Sequence, residues 1–331
     1  MDSRTKFRGY VEAIHGGGAS NLLLPDVSDP GIAYLSSGGN DGNAVVGDPF
    51  RPFATAQAAI TAAIAEGGDC VLSAGKGSFG DMDITGAASL TLLGLVGYVS
   101  SFGDIVSSTA CSIYGNGNVM VGNITFQMPN GTTGSDGPPD TNEAGEDGGN
   151  GGDTSDVSVS KITISGNVIL SGGNGGNGGN GADASVAGSF SPGPGGNGGS
   201  AGEASTLALY DCEIAGYAVS IPGNGGNGGN GGNALDYLQT GGKAGNGCDG
   251  LTGGTVNLVR TTFGATYAAG GAAGVAGSGG YGLTDTGNGG YTGTPGSPGI
   301  IYTEFSKSST YPTNGESYSF RASLINGNWY S

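Results

Sequence analysis

Residues 172–181 read GGNGGNGGNG, and the same triplet returns at 223–233 as GNGGNGGNGGN. A period of three fits an extended left-handed helix with three residues per turn and a rise of about 3.1 Å per residue. Every third residue then lies on one edge of the rod, and the glycines leave the other two edges bare. Bare edges allow neighbouring backbones to approach and hydrogen-bond. The predicted asparagine edge consists of Asn174, Asn177, Asn180, Asn224, Asn227 and Asn230.

The glycine content sets a condition on this prediction. The chain has 331 residues, of which 75 are Gly, and ordering a Gly costs about 0.5–1 kcal/mol more than ordering an Ala. A single tract of this composition is expected to stay disordered, as a flexible linker would. Only many hydrogen bonds between tracts, each contributing about 1 kcal/mol net, on a rigid scaffold would order it. The sequence therefore predicts a stacked lattice, with a linker as the alternative.

The net charge and the amino-terminal sequence restrict the functions that are expected of this chain. The net charge is −17 with only ten Lys plus Arg, so no basic surface for nucleic acid is expected. The opening MDSRTKFRGYVEAIHGGG lacks the apolar segment of a signal peptide, which predicts synthesis in a cytoplasm. The four cysteines form no CxxC pair and are interpreted as free, buried thiols.

One helix and one strand series follow the amino-terminal segment. Residues 52–66 are Ala-rich, place Phe53, Ala56, Ile60 and Ile64 near helical spacing, and precede two glycines. Short strands begin at Val71. These features resemble the amino-terminal cap and first rung of pectin-lyase-like right-handed β-helix proteins. The matching residues are Gly39, Asn40 and Asp41, then Pro52, Phe53, Thr55, Ala59 and Ala63, then Gly68, Asp69 and Val71.

An internal repeat extends the resemblance along the chain. Strand-like segments start at residues 123 (NITF), 161 (KITI), 206 (TLAL), 255 (TVNL) and 299 (GIIY). Three of these units continue through a second strand into a Gly-rich excursion, which predicts rungs with a hairpin inserted at the same corner each time. In composition and period, residues 130–300 resemble the polyglycine II bundles of glycine-rich adhesins on phage tail fibres and of some antifreeze proteins.

The predicted fold is all-β, a right-handed parallel β-solenoid with an N-terminal capping helix and inserted polyglycine II-like Gly-rich hairpins. Its predicted parts are an attachment arm (1–35), the β-helix cap and first rungs (36–126), the rungs with inserts (127–305) and a C-terminal aromatic cap (306–331). The arm carries the candidate attachment residues Arg4, Lys6, Arg8, Leu22, Leu23 and Leu24.

Signals of chemistry are sparse. The acidic residues between 131 and 156 are interpreted as a solvated loop. GGNGADASV (178–186) and AGNGCDGLT (244–252) each approach a calcium-binding nonapeptide but depart from it, so no cofactor is predicted and Ca²⁺ stays an alternative. An enzyme on this scaffold would use Asp81 with Asp83, or Arg260. Glycosidase carboxylates must lie within about 5–10 Å of each other, and no enzyme is predicted.

Taken together, the sequence predicts an external virion part, a phage tail or head fibre that binds a cell-surface glycan or protein of the host. The arm would contact other virion proteins, nucleic acid is not an expected partner, and analogy with β-helical fibres predicts a homotrimer. The alternatives are a purely structural decoration protein or self-assembling filament, a β-helix polysaccharide depolymerase, and an ice-binding surface. The candidate receptor-binding residues are Asp183, Ser191, Tyr237, Trp329 and Tyr330.

Overall fold

The computed structural model describes residues 11–12, 21–22, 31–139, 143–184, 191–234, 240–267, 289–304, 306–308, 317–321, 323–325 and 328–330. These residues contain one helix, α1 (Ala56–Glu66), and strands with the following bounds: β1 Val11–Glu12, β2 Asn21–Leu22, β3 Ile32–Leu35, β4 Asp69–Ala74, β5 Gly77–Ser78, β6 Met82–Asp83, β7 Ser89–Gly94, β8 Ser100–Ser101, β9 Ile105–Ser107, β10 Ser112–Gly115, β11 Val119–Val121, β12 Ile124–Gln127, β13 Val157–Ser160, β14 Thr163–Ile164, β15 Val168–Ser171, β16 Thr206–Tyr210, β17 Glu213–Ile221, β18 Thr255–Val259, β19 Thr262–Tyr267, β20 Ile300–Glu304, β21 Lys307–Ser308, β22 Ser317–Arg321, β23 Ser323–Ile325 and β24 Asn328–Tyr330.

The strands form two long sheets. Sheet 1 has nine strands in the order β22-β20-β18-β16-β13-β10-β7-β4-β3, and sheet 2 has thirteen, with the main path β24-β23-β21-β19-β17-β14-β11-β8-β5. Among the described pairs, only β1 with β2 and β23 with β24 are antiparallel. The all-β, parallel, solenoid-like class predicted from the sequence is confirmed at this level.

The register of sheet 1 shows one strand per coil. The aligned residues are Cys70, Leu90, Ile113, Val159, Leu209, Leu258, Thr303 and Phe320. The coils between them differ greatly in length, because some contain Gly-rich excursions. Alternate residues point inward and build one core along the stack, which includes Leu92, Phe126 and Leu170.

The predicted alignment of the strands is right in its second half and wrong in its first half. Thr206 pairs with Thr255, as the repeat predicts. Thr255 pairs with Ile300, one residue after the predicted Gly299. The NITF segment instead pairs with Val168–Ser171, and the KITI segment pairs with Glu213–Ile221, so both belong to sheet 2. Each coil contributes similar alternating strands to both sheets, and the sequence pattern does not distinguish them.

Helix α1 packs on the first coils. It begins after Thr55, whose hydroxyl accepts the N–H of Ala58, rather than at the predicted residue 52, and it ends at Gly67. Its buried residues are Ala56, Ala59, Ile60 and Ala63. Asp41 holds the helix start by accepting the N–H groups of Ala54 and Thr55 and the Thr55 hydroxyl.

Little of the predicted attachment arm lies in the described residues. Leu22 belongs to β2, which pairs with β1, and Ile32–Leu35 pairs with β4 in sheet 1. Arg4, Lys6, Arg8, Leu23 and Leu24 lie outside the described residues. The arm and the division of the chain into four parts stay predictions.

Four long Gly-rich connections join a sheet 2 strand to the next sheet 1 strand, whereas the sequence predicted three. They comprise residues 128–156, 172–205, 222–254 and 268–299, each running from the end of a sheet 2 strand to the start of a sheet 1 strand. We number them hairpins 1 to 4 and divide each into an outgoing and a returning leg. The outgoing leg of hairpin 4 lies outside the described residues.

Candidate functional site: the glycine-rich lattice

The three positions of each triplet have separate hydrogen-bonding roles. The N–H of the residue at the first position donates to a carbonyl on the same leg of the next hairpin. The N–H of the residue at the second position donates to a carbonyl on an opposite leg. The third residue presents its side chain on the outer face, where Asn174, Asn177 and Asn180 are exposed. Each backbone donor of an inner leg is thereby satisfied without regular secondary structure.

First-position bonds join equivalent legs along the stack. Gly131, Gly134 and Gly137 of hairpin 1 donate to the carbonyls of Asn174, Asn177 and Asn180 in hairpin 2. The same relation continues from hairpin 2 to hairpin 3 on both legs, and from hairpin 3 to hairpin 4 on the returning leg. The later donors are Gly175, Gly178 and Gly181, then Gly195 and Gly198, then Gly247, Gly250 and Gly253.

Second-position bonds join outgoing and returning legs in a zigzag. Gly176 donates to Gly149 of hairpin 1, Gly199 donates to Gly176, and Gly226 donates to Gly199, all at 2.8–2.9 Å. Returning leg 1, outgoing leg 2, returning leg 2 and outgoing leg 3 therefore form one continuous bonded sheet of rods.

The interior of the lattice accepts only glycine at most positions. A Cβ on Gly176 would overlap the carbonyl oxygen of Thr132, one on Gly226 would overlap that of Gly176, and one on Gly199 would overlap that of Gly149. The hydrogen bonds between legs are therefore possible because these positions carry no side chain. Neighbouring backbone occupies the bare edges that the triplet predicts.

Third-position side chains form ladders along the stack. The Oδ1 atoms of Asn174, Asn177 and Asn180 accept the backbone N–H groups of Asn224, Asn227 and Asn230 at 2.8–3.0 Å. The Asn174 N–H in turn donates to Asn130. Each asparagine thus replaces the hydrogen bond that its neighbour's N–H would otherwise make with water.

Acidic residues occupy the same ladders. Asp136 accepts the N–H of Asn180 at 2.6 Å, Asp147 accepts that of Asn197 at 2.6 Å, and Asp153 accepts that of Glu203 at 2.8 Å. These carboxylates are exposed, as the interpretation of residues 131–156 as a solvated loop expects, but they also serve as acceptors in the lattice. The signal available in the sequence was their place in the triplet, since each stands two residues after a lattice glycine.

The two nonapeptide-like segments also contribute ladder carboxylates. Asp183 accepts the N–H of Asn233 at 2.6 Å, and Asp249 accepts the N–H and hydroxyl of Thr294. A hydrogen bond from the backbone N–H of Thr294, and a weaker contribution from its hydroxyl, hold the pKa of Asp249 below its ordinary value. Among the described residues, no group of three or more His, Cys, Asp or Glu is placed to hold a metal ion.

The free ends of the first three hairpins are bonded side by side. Ala182 donates to Glu143, Gly193 donates to Ala182, Gly232 donates to Gly193, and Gly242 donates to Gly232. The connecting segments 140–142, 185–190 and 235–239 lie outside the described residues, but the chain on both sides of each is held in this row.

An open groove lies beside these ends on the outgoing face. Its volume is about 380 Å³, and it is open to solvent. The described lining residues are Asp136, Gly137, Pro139, Asn180, Gly181, Asp183, Asn230, Gly231 and Asn233. They supply two carboxylates and three amide side chains and no cation, so the groove offers hydrogen bonds and negative charge.

The candidate receptor-binding residues fall in different places. Asp183 lines the groove, and Ser191 is exposed where the second returning leg begins. Tyr237 lies outside the described residues. Trp329 and Tyr330 belong to β24, opposite Leu324 and Ser323, away from the hairpin ends in the chain's topology.

The two carboxylates considered for catalysis both make hydrogen bonds within the coils. The Oδ1 of Asp81 accepts the N–H of Asp104 at 2.9 Å, and Asp83 accepts the N–H of Thr85 at 2.9 Å. Asp104 in turn accepts the N–H of Asn123 in the next coil. Asp81 therefore belongs to a ladder of the same kind as those in the hairpins.

Arg260, the other catalytic candidate, forms a two-bond ion pair with Asp211. The Nε–Oδ1 and Nη2–Oδ2 distances are 2.6 and 2.8 Å. Both residues, and Lys161 one coil earlier, have positive φ angles at the corner between the sheets. The Arg260 hydrogen bond lowers the pKa of Asp211, and the same bond raises the pKa of Arg260.

The cysteines are free, as predicted. Cys70, Cys111 and Cys212 are buried and Cys248 is partly exposed. Burial raises the pKa of Cys111 and of Cys212 to about 11, which leaves these thiols protonated and unreactive at neutral pH. Across the described part of the chain, no helix has the length and apolar character needed to cross a membrane.

Comparison with known proteins identifies no family for this chain. No family model matches the chain, and no curated protein matches it. Among solved structures, it is similar to a springtail antifreeze protein from Granisotoma rainieri described as a nine polyproline type II helical bundle. The identity is 26% over 50% of this chain and 94% of that chain, with a TM-score of 0.19, a value too low to carry an argument.

Proposed function

We propose that the protein is a structural adhesin of a phage appendage, a tail or head fibre that presents the ends of its hairpins to a glycan or protein on the host surface. Its coils would form a right-handed β-solenoid, and its hairpins would be polyglycine II-like rods. Residues 1–35 would attach it to other virion proteins, and the working particle would carry it as a homotrimer.

One observation supports this proposal most strongly. The described ends of the first three hairpins are joined by backbone hydrogen bonds in a row, beside an open polar groove. The bonds from Gly242 through Gly232, Gly193 and Ala182 to Glu143 hold the described ends of the first three hairpins side by side. A rigid frame reduces the conformational entropy lost when displayed groups bind a partner. Several copies on one particle would add avidity.

The groove allows a test that leaves the lattice intact. Asp136 and Asp183 each accept one backbone N–H through Oδ1, and Asn performs the same role elsewhere in the ladders. The double variant Asp136→Asn/Asp183→Asn therefore keeps the ladder bonds and removes both groove charges. The matched control, Asp147→Asn/Asp153→Asn, makes the same change on the returning leg.

The measurement is binding of the labelled full chain to a panel of bacterial cells, with competition against infection. We expect saturable binding to a subset of strains, a roughly tenfold loss for the groove variant, in line with the greater strength of hydrogen bonds to charged groups, and no loss for the control. Absence of binding to every strain that a phage carrying this protein infects would overturn the adhesin function. Binding that is equal for both double variants would overturn the role of the groove only.

A further inference from the structure

Most asparagines on the outer edges of the rods are followed directly by a glycine, as in Asn174–Gly175 and Asn177–Gly178. In an unstructured chain, such a pair reacts with water. The glycine nitrogen loses its proton to water or hydroxide and attacks Cγ of the asparagine, which closes a five-membered succinimide and expels the side-chain nitrogen as ammonia. Water then opens the ring to aspartate or isoaspartate. Glycine favours the attack because it has no Cβ to hinder it.

In the lattice, both reacting groups of such a pair are hydrogen-bonded to a single residue of the neighbouring rod. The N–H of Gly178 donates to the carbonyl oxygen of Asn227 at 2.8 Å. The Oδ1 of Asn177 accepts the N–H of the same Asn227 at 3.0 Å. The backbone of one residue therefore holds the glycine nitrogen and the asparagine side chain at once. We call this arrangement a clamp.

The clamp recurs on both legs of the hairpins. On the outgoing leg, Asn224 holds the pair that begins at Asn174. On the returning leg, Asn246 holds the pair that begins at Asn197. The other clamped pairs begin at Asn130, Asn150, Asn180 and Asn246. Protection of the reacting groups is therefore a regular property of the rods.

The clamp opposes each step of the reaction. The proton that must leave Gly178 lies against the carbonyl oxygen of Asn227 instead of against water. Ring closure would bring Cγ of Asn177 to bonding distance from the Gly178 nitrogen, which breaks the bond between Oδ1 and the Asn227 N–H. Separation of the rods is in turn resisted by Gly176, which donates to Gly149 on the opposite leg. The reaction therefore requires the lattice to open first.

We propose that the Asn–Gly pairs of the rods are modification sites that the lattice keeps closed. They stay amides while the rods are bonded, and they convert to aspartate and isoaspartate when a rod separates. Aspartate fits the lattice, since Asp136 and Asp147 already occupy this position. Isoaspartate routes the backbone through Cβ and so breaks the period of three. An opening that lasts long enough to react is then irreversible, and the lifetime of the lattice depends on how rarely its rods separate.

The first measurement compares the native full chain with the same chain unfolded in guanidinium chloride, both kept in mildly alkaline buffer. Peptide mapping by mass spectrometry, with aspartyl and isoaspartyl products separated, gives the rate of amide loss at each asparagine. We expect Asn174, Asn177 and Asn180 to react at least about a hundredfold more slowly in the native chain, because only the opened fraction reacts. Equal rates in the two states would overturn the proposal.

A matched pair of variants separates the clamp from general burial. Asn227→Pro removes the N–H that Asn177 accepts and keeps the carbonyl that Gly178 requires. Proline is compatible with this position of a rod, since Pro194 occupies it on the returning leg and accepts a glycine N–H. The control Asn227→Ala loses the same side chain and keeps both backbone groups. We expect Asn177 to react roughly tenfold faster in the Pro variant than in the Ala variant, the effect of one lost hydrogen bond.

The returning leg provides the internal reference, because Asn197 should react at the same rate in both variants. Equal rates at Asn177 in the two variants, or a faster reaction at Asn177 and Asn197 alike, would overturn the role of the clamp. If the Pro variant shows no thermal transition, Asn246→Pro and Asn246→Ala replace the pair. They are compared at Asn197, whose Oδ1 accepts the Asn246 N–H, with Asn177 as the reference. The comparison of native and unfolded chain decides in either case.

Discussion

The coils and the hairpins of this protein are ordered in opposite ways. The coils bury large side chains such as Leu90, Phe126 and Leu92 between two parallel sheets. The described residues of the hairpins form no comparable apolar core, and their rods approach so closely that most inner positions have no room for a Cβ. Side-chain packing stabilises the coils. Backbone hydrogen bonds, which side chains would prevent, stabilise the hairpins.

The two regions share one device, the side-chain ladder. In the coils, Asn123 accepts the N–H of Asn167, which accepts the N–H of Tyr217. In the hairpins, Asn130 accepts the N–H of Asn174, which accepts that of Asn224. The coils and the hairpins therefore keep the same one-coil spacing through a common hydrogen-bond geometry.

Truncating the core is expected to have the largest effect. Phe126 is fully buried on β12, and Phe126→Ala should lower the free energy of unfolding by about 3–5 kcal/mol through lost burial and a cavity. Chemical denaturation followed by circular dichroism measures this. A change below about 1 kcal/mol would show that the coils do not depend on their apolar core.

Adding a methyl group to the lattice is expected to have the next largest effect. Gly176→Ala would place a Cβ against the backbone of Thr132 and should cost about 1–3 kcal/mol. The matched control is Gly289→Ala on hairpin 4, where nothing lies within 4 Å of the added Cβ. Equal stability of the two variants would contradict the close packing of the rods.

Removing one ladder bond should cost less. Asn177→Ala deletes the acceptor for the Asn227 N–H, with an expected loss of about 1 kcal/mol. Asn177→Asp keeps an acceptor oxygen and should retain most of that stability, as the aspartates of hairpin 1 do. Thermal unfolding of the three proteins compares them, and an Asp variant as unstable as the Ala variant would argue against a ladder role.

The ion pair at the corner should give the smallest effect, and it should depend on pH. Arg260 lowers the pKa of Asp211 from its ordinary 3.8, so the pair stabilises the fold above that pH, and the contribution is lost as pH falls through the folded-state pKa. Asp211→Asn should therefore lower Tm slightly at pH 6 and not at strongly acidic pH. A Tm difference that grows towards acid would reverse the assigned sign.

The sequence predicted the period, the outer edge of asparagines and the shared corner of the hairpins, because these follow from the triplet and from repeat spacing alone. It did not reveal which strands align, since β12 and β14 have the same alternation as the sheet 1 strands. The ladder role of Asp136 also required the structure. It depends on which leg lies next to which, and that is a property of the stack rather than of any single triplet.

The central claim is that the glycine-rich tracts are ordered by backbone hydrogen bonds between rods. Native-state amide hydrogen exchange of the full chain, resolved by residue, tests it most directly. We expect Gly175, Gly176 and Gly226 to exchange as slowly as the strand amides of Leu209 and Leu258. Exchange of these glycines at the rate of an unstructured chain, while the strands stay protected, would contradict the claim and return the tracts to the status of linkers.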